Sequence, residues 1–166
     1  MRDIVEYFEL GPYVGLAVVA KSETDYINQL VNCIIEGSVF EFSEEILAEE
    51  LPRVEHDLRI ALAEGNKPIG AFCYMNGITE TELPRFLRDT MERTAAENLV
   101  IEAIGDAERI VVTDRDLADY KRTYREQYAR MLLDDPQTND DELRLAILTK
   151  KVLSFLMSNN TWRKEG

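Results

Sequence analysis

The stretch Ile78-Thr79-Glu80-Thr81-Glu82-Leu83 is the sharpest local signal in the chain and decides much of the fold. Thr79 and Glu82 have the spacing of a capping box, in which each side chain binds the backbone amide of the other residue. Ile78 and Leu83 flank the box at the positions of a hydrophobic staple. We therefore predict that a long helix begins at Glu80.

This helix is predicted to run to about Ala103 and to end at Gly105. Pro84 lies in its first turns, where a missing backbone donor disrupts a helix least. Capping boxes also occur at 113–116 and 139–142 and predict helices to about Leu133 and Ser158. The residues after Ser158 are polar and are predicted to fray.

Upstream of the first box the signals are also helical. Ser22 and Gly37 have the character of a helix start and a helix end. Ser43 is a predicted cap for a helix over 44–64, in which Pro52 should cause a kink or a split. The apolar segment 69–76 is either a short buried helix or a loop tip.

The first twenty residues are different because they are β-prone. The segments 4–10 and 13–19 lie on either side of Gly11-Pro12, which indicates two strands around a turn. We predict an N-terminal β-ribbon over 1–20 and a helical domain over 21–166. The fold class is therefore all-α with a short β-ribbon, and its long helices form two antiparallel pairs: 44–64 with 80–103, and 114–133 with 140–158.

The charge excludes several classes of function. The chain has 166 residues, with 19 Lys and Arg against 32 Asp and Glu, a formal charge of −13. Such a chain repels phosphate backbones and anionic lipid, so we expect no nucleic acid and no membrane as partners. No basic segment followed by an apolar run is present near Met1, and two cysteines suit a reducing compartment, so we predict a cytoplasmic protein.

The sequence lacks the usual motifs of catalytic chemistry. It has no phosphate loop, zinc helix motif, Cys-x-x-Cys or nucleophile elbow. His56 is the only histidine and reads as a surface or partly packed residue, while Cys33 and Cys73 read as small buried thiols. Glu44, Glu45, Glu49 and Glu50 read as a solvated acidic face. We therefore predict no catalytic residues, no metal and no cofactor.

A tyrosine ladder is the feature that most suggests binding. Tyr120, Tyr124 and Tyr128 recur every four residues on one predicted helix, with Met131 continuing the stripe. Such a stripe is either the inner seam of a helix pair or the lining of an open groove, because a tyrosine hydroxyl tolerates water. Methionines such as Met75 provide adaptable apolar surface, although core packing is the alternative for them too.

Five local phrases in order resemble the C-terminal domain of bacterial trigger factor, a protein-folding chaperone. They are FSEEILAEEL (42–51), GITETELPRFLR (77–88), NLVIEAIG (98–105), VVTDRDL (111–117) and LRLAILTKKVLSFL (143–156). The segment LGPYVGL (10–16) is similar to the strand that leads into the isomerase domain in related proteins. The ribosome-docking loop and the FKBP-type prolyl-isomerase domain of the family have no counterpart in this sequence.

The resemblance implies a cradle of two helical arms that holds unfolded or nascent polypeptide without ATP and without isomerase activity. The candidate client contacts are apolar residues from three helical segments: Phe72, Tyr74, Met75, Tyr120, Tyr124, Tyr128, Met131 and Phe155. The alternative is a helical interaction module that forms a homodimer or docks one specific partner, with the β-ribbon adding to a partner sheet. A prolyl isomerase is disfavoured, because no isomerase pocket of this kind fits the length.

Overall fold

The predicted capping box forms and starts the longest helix. The structure is a computed structural model that describes residues 3–131 and 140–165, and for residues 124–131 it describes only the backbone. The Thr79 amide donates to Glu82 Oε2 at 2.8 Å. One 3₁₀ turn, Glu80–Glu82, leads directly into a helix over Leu83–Ala107.

Six α-helices and four short strands lie within the described residues. The helices are α1 (Glu23–Glu36), α2 (Glu44–Glu64), α3 (Ile69–Met75), α4 (Leu83–Ala107), α5 (Asp114–Met131) and α6 (Asp140–Asn159). The strands are β1 (Val5–Glu9), β2 (Ala17–Ala20), β3 (Val39–Phe42) and β4 (Thr161–Lys164). The mainly helical fold class is therefore confirmed.

The predicted starts of α1, α2 and α5 are confirmed by their caps. The Ser22 hydroxyl accepts from the Asp25 amide at 3.1 Å, and the Ser43 hydroxyl accepts from the Ile46 amide at 3.4 Å. The Thr113 hydroxyl accepts from the Asp116 amide at 3.1 Å. The predicted box at 139–142 begins at a residue outside the described part of the chain. These caps satisfy amides that the first helical turn leaves without a partner.

Two helix predictions are corrected. Pro52 lies inside α2, which is one uninterrupted helix, so of the predicted kink or split the split is excluded and the kink stays a prediction. Gly105 does not end α4, which continues to Ala107. A Cβ at Gly105 would lie only 3.0 Å from Leu148 Cδ1 of α6. The missing side chain therefore allows a close approach of α4 and α6 rather than a helix stop.

The predicted hairpin around Gly11-Pro12 is wrong. β1 pairs with β3 in an antiparallel sheet, and β2 pairs with β4 in a separate parallel sheet. Pro12 does not suit the tight turns that join hairpin strands. The pairing with β3 also places Phe8 opposite Phe40, with ring centroids 5.0 Å apart.

The predicted fraying of the C-terminal residues is wrong as well. Asn160 is buried, and its side chain accepts from the Leu16 amide at 2.7 Å and donates to the Tyr13 carbonyl at 2.9 Å. Trp162 of β4 stacks on Tyr26 with ring centroids 5.6 Å apart. A buried amide and a stacked indole hold this polar segment in place.

The chain divides into two units, each built from separate segments. Unit 1 contains residues 1–9 and 38–98, and unit 2 contains residues 10–37 and 99–166. Both units draw on residues from either side of residue 20. Unit 1 has two buried clusters. In one, Leu47 of α2 and Met91 of α4 pack with Ile4, next to the β1–β3 sheet. In the other, Cys73 of α3 and Leu83 of α4 pack with residues of α2. In unit 2, Leu117, Leu143 and Ile147 form a cluster between α5 and α6.

Candidate functional site

The short helix α3 has one side that anchors it in unit 1. Pro68 precedes it in an extended conformation, which suits the residue before a helix. Cys73 is only 2% exposed and packs in the cluster with Leu83 and Leu87. Phe72 is half-buried, and its ring meets that of Phe86 edge to face at 6.2 Å. These contacts fix the orientation of the helix.

The other side of α3 presents apolar side chains to solvent. Tyr74 is 86% exposed and Met75 is 84% exposed, the highest values among the exposed large hydrophobic residues of the described chain. The backbone turns away directly afterwards, with Gly77 at a φ of +67°. We call Tyr74 and Met75 the α3 tip. Because Cys73 is anchored, these two residues cannot turn inward without breaking the helix.

A groove between α5 and α6 is the second candidate surface. It has a volume of about 720 Å³. Among the residues whose side chains are described, eight line it: Asp116, Asp119, Tyr120, Thr123, Ile147, Lys150, Lys151 and Ser154. We call this cavity the α5–α6 groove. Its floor is apolar, since Tyr120 and Ile147 belong to or pack on the buried cluster with Leu117.

Two residues that line the α5–α6 groove form an ion pair. Lys151 Nζ lies 2.7 Å from Asp116 Oδ2 and also donates to the Val111 carbonyl at 2.9 Å. Asp116 accepts from the Thr113 amide and hydroxyl as well. The Lys151 ammonium and these hydrogen bonds hold the pKa of the Asp116 carboxyl far below its ordinary value. Asp116 is therefore ionised and engaged at neutral pH.

The structure brings together only some of the predicted contact residues. Phe72, Tyr74 and Met75 share α3, whereas Tyr120 lies in the α5–α6 groove. Phe155 is outside the residues that line the groove, and its ring faces Tyr13 at 6.5 Å. The side chains of the remaining three predicted contacts lie outside the described residues: Tyr124, Tyr128 and Met131. Whether the tyrosine ladder continues along the groove therefore stays a prediction.

Sequence reasoning missed the α6 wall of the groove. Ile147, Lys150, Lys151 and Ser154 follow one another at spacings of three, one and three residues, which places them on one helix face. The α5 lining residues at 116, 119, 120 and 123 have the same spacing. Two matching stripes on consecutive antiparallel helices were the available signal. The spacing of the tyrosines identified only the α5 wall of the groove.

Residues considered for chemistry are dispersed. Within the part of the chain that the structure describes, no group of His, Cys, Asp and Glu residues could hold a metal ion. His56 is exposed as predicted, and Cys73 is buried. Cys33 is exposed, so its prediction as a buried thiol is wrong. It lies on the outer face of α1, whose buried residues are Tyr26, Leu30 and Ile34.

The predicted acidic face on α2 is only partly solvated. Glu50 is buried, and Arg53 Nη1 lies 3.3 Å from its carboxylate. Glu44 pairs with Arg88 of α4, and the hydrogen bonds from this guanidinium lower the pKa of the Glu44 carboxyl. These carboxylates stabilise unit 1. Among the described helices, none is long and apolar enough to cross a membrane.

Comparison with known proteins places the fold in a family. The family model for the C-terminus of bacterial trigger factor matches residues 17–158, which is most of the chain. The chain belongs to the trigger factor C-terminal family. The resemblance of the five sequence phrases is thereby confirmed.

Relatives and solved structures of trigger factor agree with this assignment. Trigger factor from Clostridium botulinum (strain Alaska E43 / Type E3) is 24% identical over 97 residues, which are 58% of this chain and 23% of the relative. A structure from work on promiscuous substrate recognition by the trigger factor chaperone has a TM-score of 0.58 at 23% identity. The structural match covers 82% of this chain and 33% of the trigger factor chain in that structure.

A second structure is close to this chain in extent. It comes from work on the domains of trigger factor from Thermotoga maritima and has a TM-score of 0.55 at 19% identity. The match covers 89% of this chain and 93% of the Thermotoga chain in that structure. At these identities the two structures support the fold alone. The matched residues span 23% of the Clostridium relative and 33% of trigger factor from Alkaliphilus metalliredigens, so this chain corresponds to only part of these relatives.

Proposed function

We propose that this chain is an ATP-independent chaperone module that binds unfolded or nascent polypeptide through exposed apolar side chains. The proposal includes no isomerase activity and no covalent chemistry. Membership of the trigger factor C-terminal family supports a role in protein folding. The absence of a phosphate-binding loop from the sequence supports independence from ATP.

The observation that carries the proposal is the α3 tip. Tyr74 and Met75 are adjacent and are more than four-fifths exposed, whereas folded proteins often bury Met fully and Tyr in part. Cys73 and Phe72 hold the helix in place, so the tip is presented on a fixed support. Met adapts to irregular apolar surfaces, and Tyr adds a large contact area with a polar end. This combination suits partners of varied sequence.

The expected binding is weak and broad. Apolar burial is worth about 25 cal/mol per Å², and association costs offset much of that gain. A client would therefore touch several surfaces at once, and the α5–α6 groove of unit 2 offers a second one. The net charge of −13 keeps a client complex soluble and disfavours self-association.

The direct test is suppression of aggregation. A chemically denatured reporter enzyme is diluted into buffer with a several-fold excess of the chain, and light scattering is followed. We expect the wild-type chain to reduce scattering and the double variant Tyr74→Ser with Met75→Ser to lose a large part of that protection. The matched control is Thr94→Ser with Asn98→Ser, two exposed polar positions on α4.

Two results would contradict the proposal. If the wild-type chain reduces no scattering, the chaperone function is wrong. If both double variants protect as well as the wild type, the α3 tip is not the binding surface. Tyr124→Ala in the same assay tests whether the predicted tyrosine ladder takes part. A proline-peptide turnover rate above that of buffer would contradict the lack of isomerase activity.

A second candidate function has one structural observation in its favour. The β1–β3 sheet has only two strands among the described residues, and such edges accept an added strand from a partner. This arrangement suits a module that docks one partner or a second copy. Deleting residues 1–20 is not a clean test of this docking, because it removes one strand from each sheet, β1 from one and β2 from the other. Val39→Lys introduces a charge on the exposed part of β3 and tests docking with the fold retained.

A further inference from the structure

The charges around the α5–α6 groove differ from those of the chain as a whole. Unit 1 has 7 Lys and Arg against 16 Asp and Glu, whereas unit 2 has 12 against 16. The two units have equal numbers of carboxylates, but the net charge is 7 − 16 = −9 for unit 1 and 12 − 16 = −4 for unit 2. The groove lies wholly within unit 2.

Both carboxylates that line the groove already have cationic partners. Asp116 is held by Lys151 at 2.7 Å. Asp119 lies 3.2 Å from Arg122 and 3.9 Å from Arg115 on the same helix. Neither carboxylate is a vacant site for a cation from outside.

Lys150 is the lining residue whose ammonium pairs with no described residue. It is exposed on α6, and no described residue lies within hydrogen-bonding or ion-pair distance of its ammonium. It lies one residue before Lys151 and four residues before Ser154, so it shares a helix face with Ser154. The groove thus combines a cation, a serine hydroxyl and an apolar floor made by Tyr120 and Ile147.

We propose that the α5–α6 groove selects client segments in which a carboxylate side chain lies next to an apolar side chain. The apolar side chain would cover Tyr120 and Ile147, and the carboxylate would pair with Lys150. This inference rests on the proposed chaperone function and assigns the groove a substrate class of its own. The cation, rather than the net charge of the chain, sets the preference.

The test measures by fluorescence anisotropy how tightly octapeptides bind to the full chain. Each peptide has an uncharged fluorophore, so that the label adds no charge. The probes are Gly-Ser-Leu-Phe-Glu-Leu-Gly-Ser and the same peptide with Gln in place of Glu. We expect the Glu peptide to bind about two- to fivefold more tightly than the Gln peptide, the advantage of an exposed ion pair. High salt should remove the difference, because it screens exposed charges.

The variant Lys150→Met keeps an unbranched side chain of similar length and removes the charge. It should abolish the advantage of the Glu peptide and leave the Gln peptide unchanged, while Lys150→Arg should retain the advantage. Lys67→Met makes the same charge change on an exposed residue of unit 1 and should have no effect on either peptide. Circular dichroism confirms that each variant is folded.

The outcomes separate this inference from the function on which it rests. Equal affinity of the two peptides for the wild-type chain, or an equal effect of Lys150→Met and Lys67→Met, overturns the groove selectivity. If both peptides bind and the reporter is protected, the chaperone function survives that result. If neither peptide binds and the reporter aggregates freely, both proposals fail.

Discussion

The α3 tip and the α5–α6 groove present aromatic side chains in opposite ways. At the tip, Tyr74 lies almost wholly in solvent, and the helix is anchored by its neighbours Phe72 and Cys73. In the groove, Tyr120 is half-buried and packs on the cluster that joins α5 to α6. The proposed binding role of Tyr74 is therefore separate from folding, whereas Tyr120 contributes to packing as well as to the proposed binding surface.

This difference matters for how variants are interpreted. A change at the tip tests the proposed binding with little effect on stability, because the side chains there are exposed. A change at Tyr120 alters the packing between α5 and α6 as well as the surface of the groove. The comparison can be tested first through stability.

The largest expected effect comes from the cluster beneath the groove. Leu117→Ala removes a side chain that is 7% exposed and should lower the free energy of unfolding by about 2–5 kcal/mol. Tyr74→Ala should change it by no more than about 0.5 kcal/mol, because the side chain is exposed. Urea unfolding followed by circular dichroism measures both. Equal losses for the two variants would show that the tip also supports the fold.

A smaller effect is expected where α6, the second wall of the groove, ends. The side-chain amide of Asn160 also donates to the Leu156 carbonyl at 2.8 Å, which brings its hydrogen bonds to three. Asn160→Ala should cost about 1–3 kcal/mol, because it leaves buried backbone groups without partners. The exposed Asn159 is the matched control, with one bond to the Phe155 carbonyl. Trp162 fluorescence during urea unfolding reports on this region, and an equal effect of Asn159→Ala would contradict the account.

The smallest effect concerns pH and the caps that start α4 and α5. The pKa of Glu82 and the pKa of Asp116 both lie below their ordinary values in the folded chain, and Asp116 is shifted further. A lowered folded pKa gives stability that is present above the unfolded value, near 4, and is lost as the pH falls towards the folded value. Asp116→Asn should therefore be less stable than the wild type at pH 7, with the gap closing below about pH 4.

The comparison variant for this prediction is Glu82→Gln, which removes the charge from the capping box before α4. The difference in stability between this variant and the wild type should be smaller, because Glu82 has no lysine partner like Lys151. This difference should also disappear over the same acidic range. Thermal unfolding at several pH values checks both. A gap for Asp116→Asn that stays constant down to pH 2 would contradict the stated cause.

The helices were predictable because their signals are local. Ser22, Ser43, Thr79 and Thr113 all cap helices where the sequence places them, since a capping side chain bonds to amides two or three residues away. The strand partners were not predictable, because β1 pairs with a strand some thirty residues later and β2 with one near the end of the chain. Such pairings depend on tertiary contacts.

The proposed binding surfaces show the same contrast between local signals, which were predictable, and tertiary contacts, which were not. The apolar character of 69–76 was evident, but the exposure of Tyr74 and Met75 depends on which side of α3 meets α4. Tyr120 was identified from its four-residue spacing. The α6 wall with Lys150 was missed because its residues are not aromatic, although they have the same periodicity.

The central claim is that the α3 tip touches non-native polypeptide, and photo-crosslinking tests it most directly. A benzophenone amino acid is placed at position 74 or, as a control, at the exposed position 67 of the same unit. Each chain is irradiated with a denatured reporter and with the same reporter in its native state. We expect crosslinks from position 74 to the denatured reporter only. Equal yields from positions 74 and 67, or equal yields with native and denatured reporter, would contradict it.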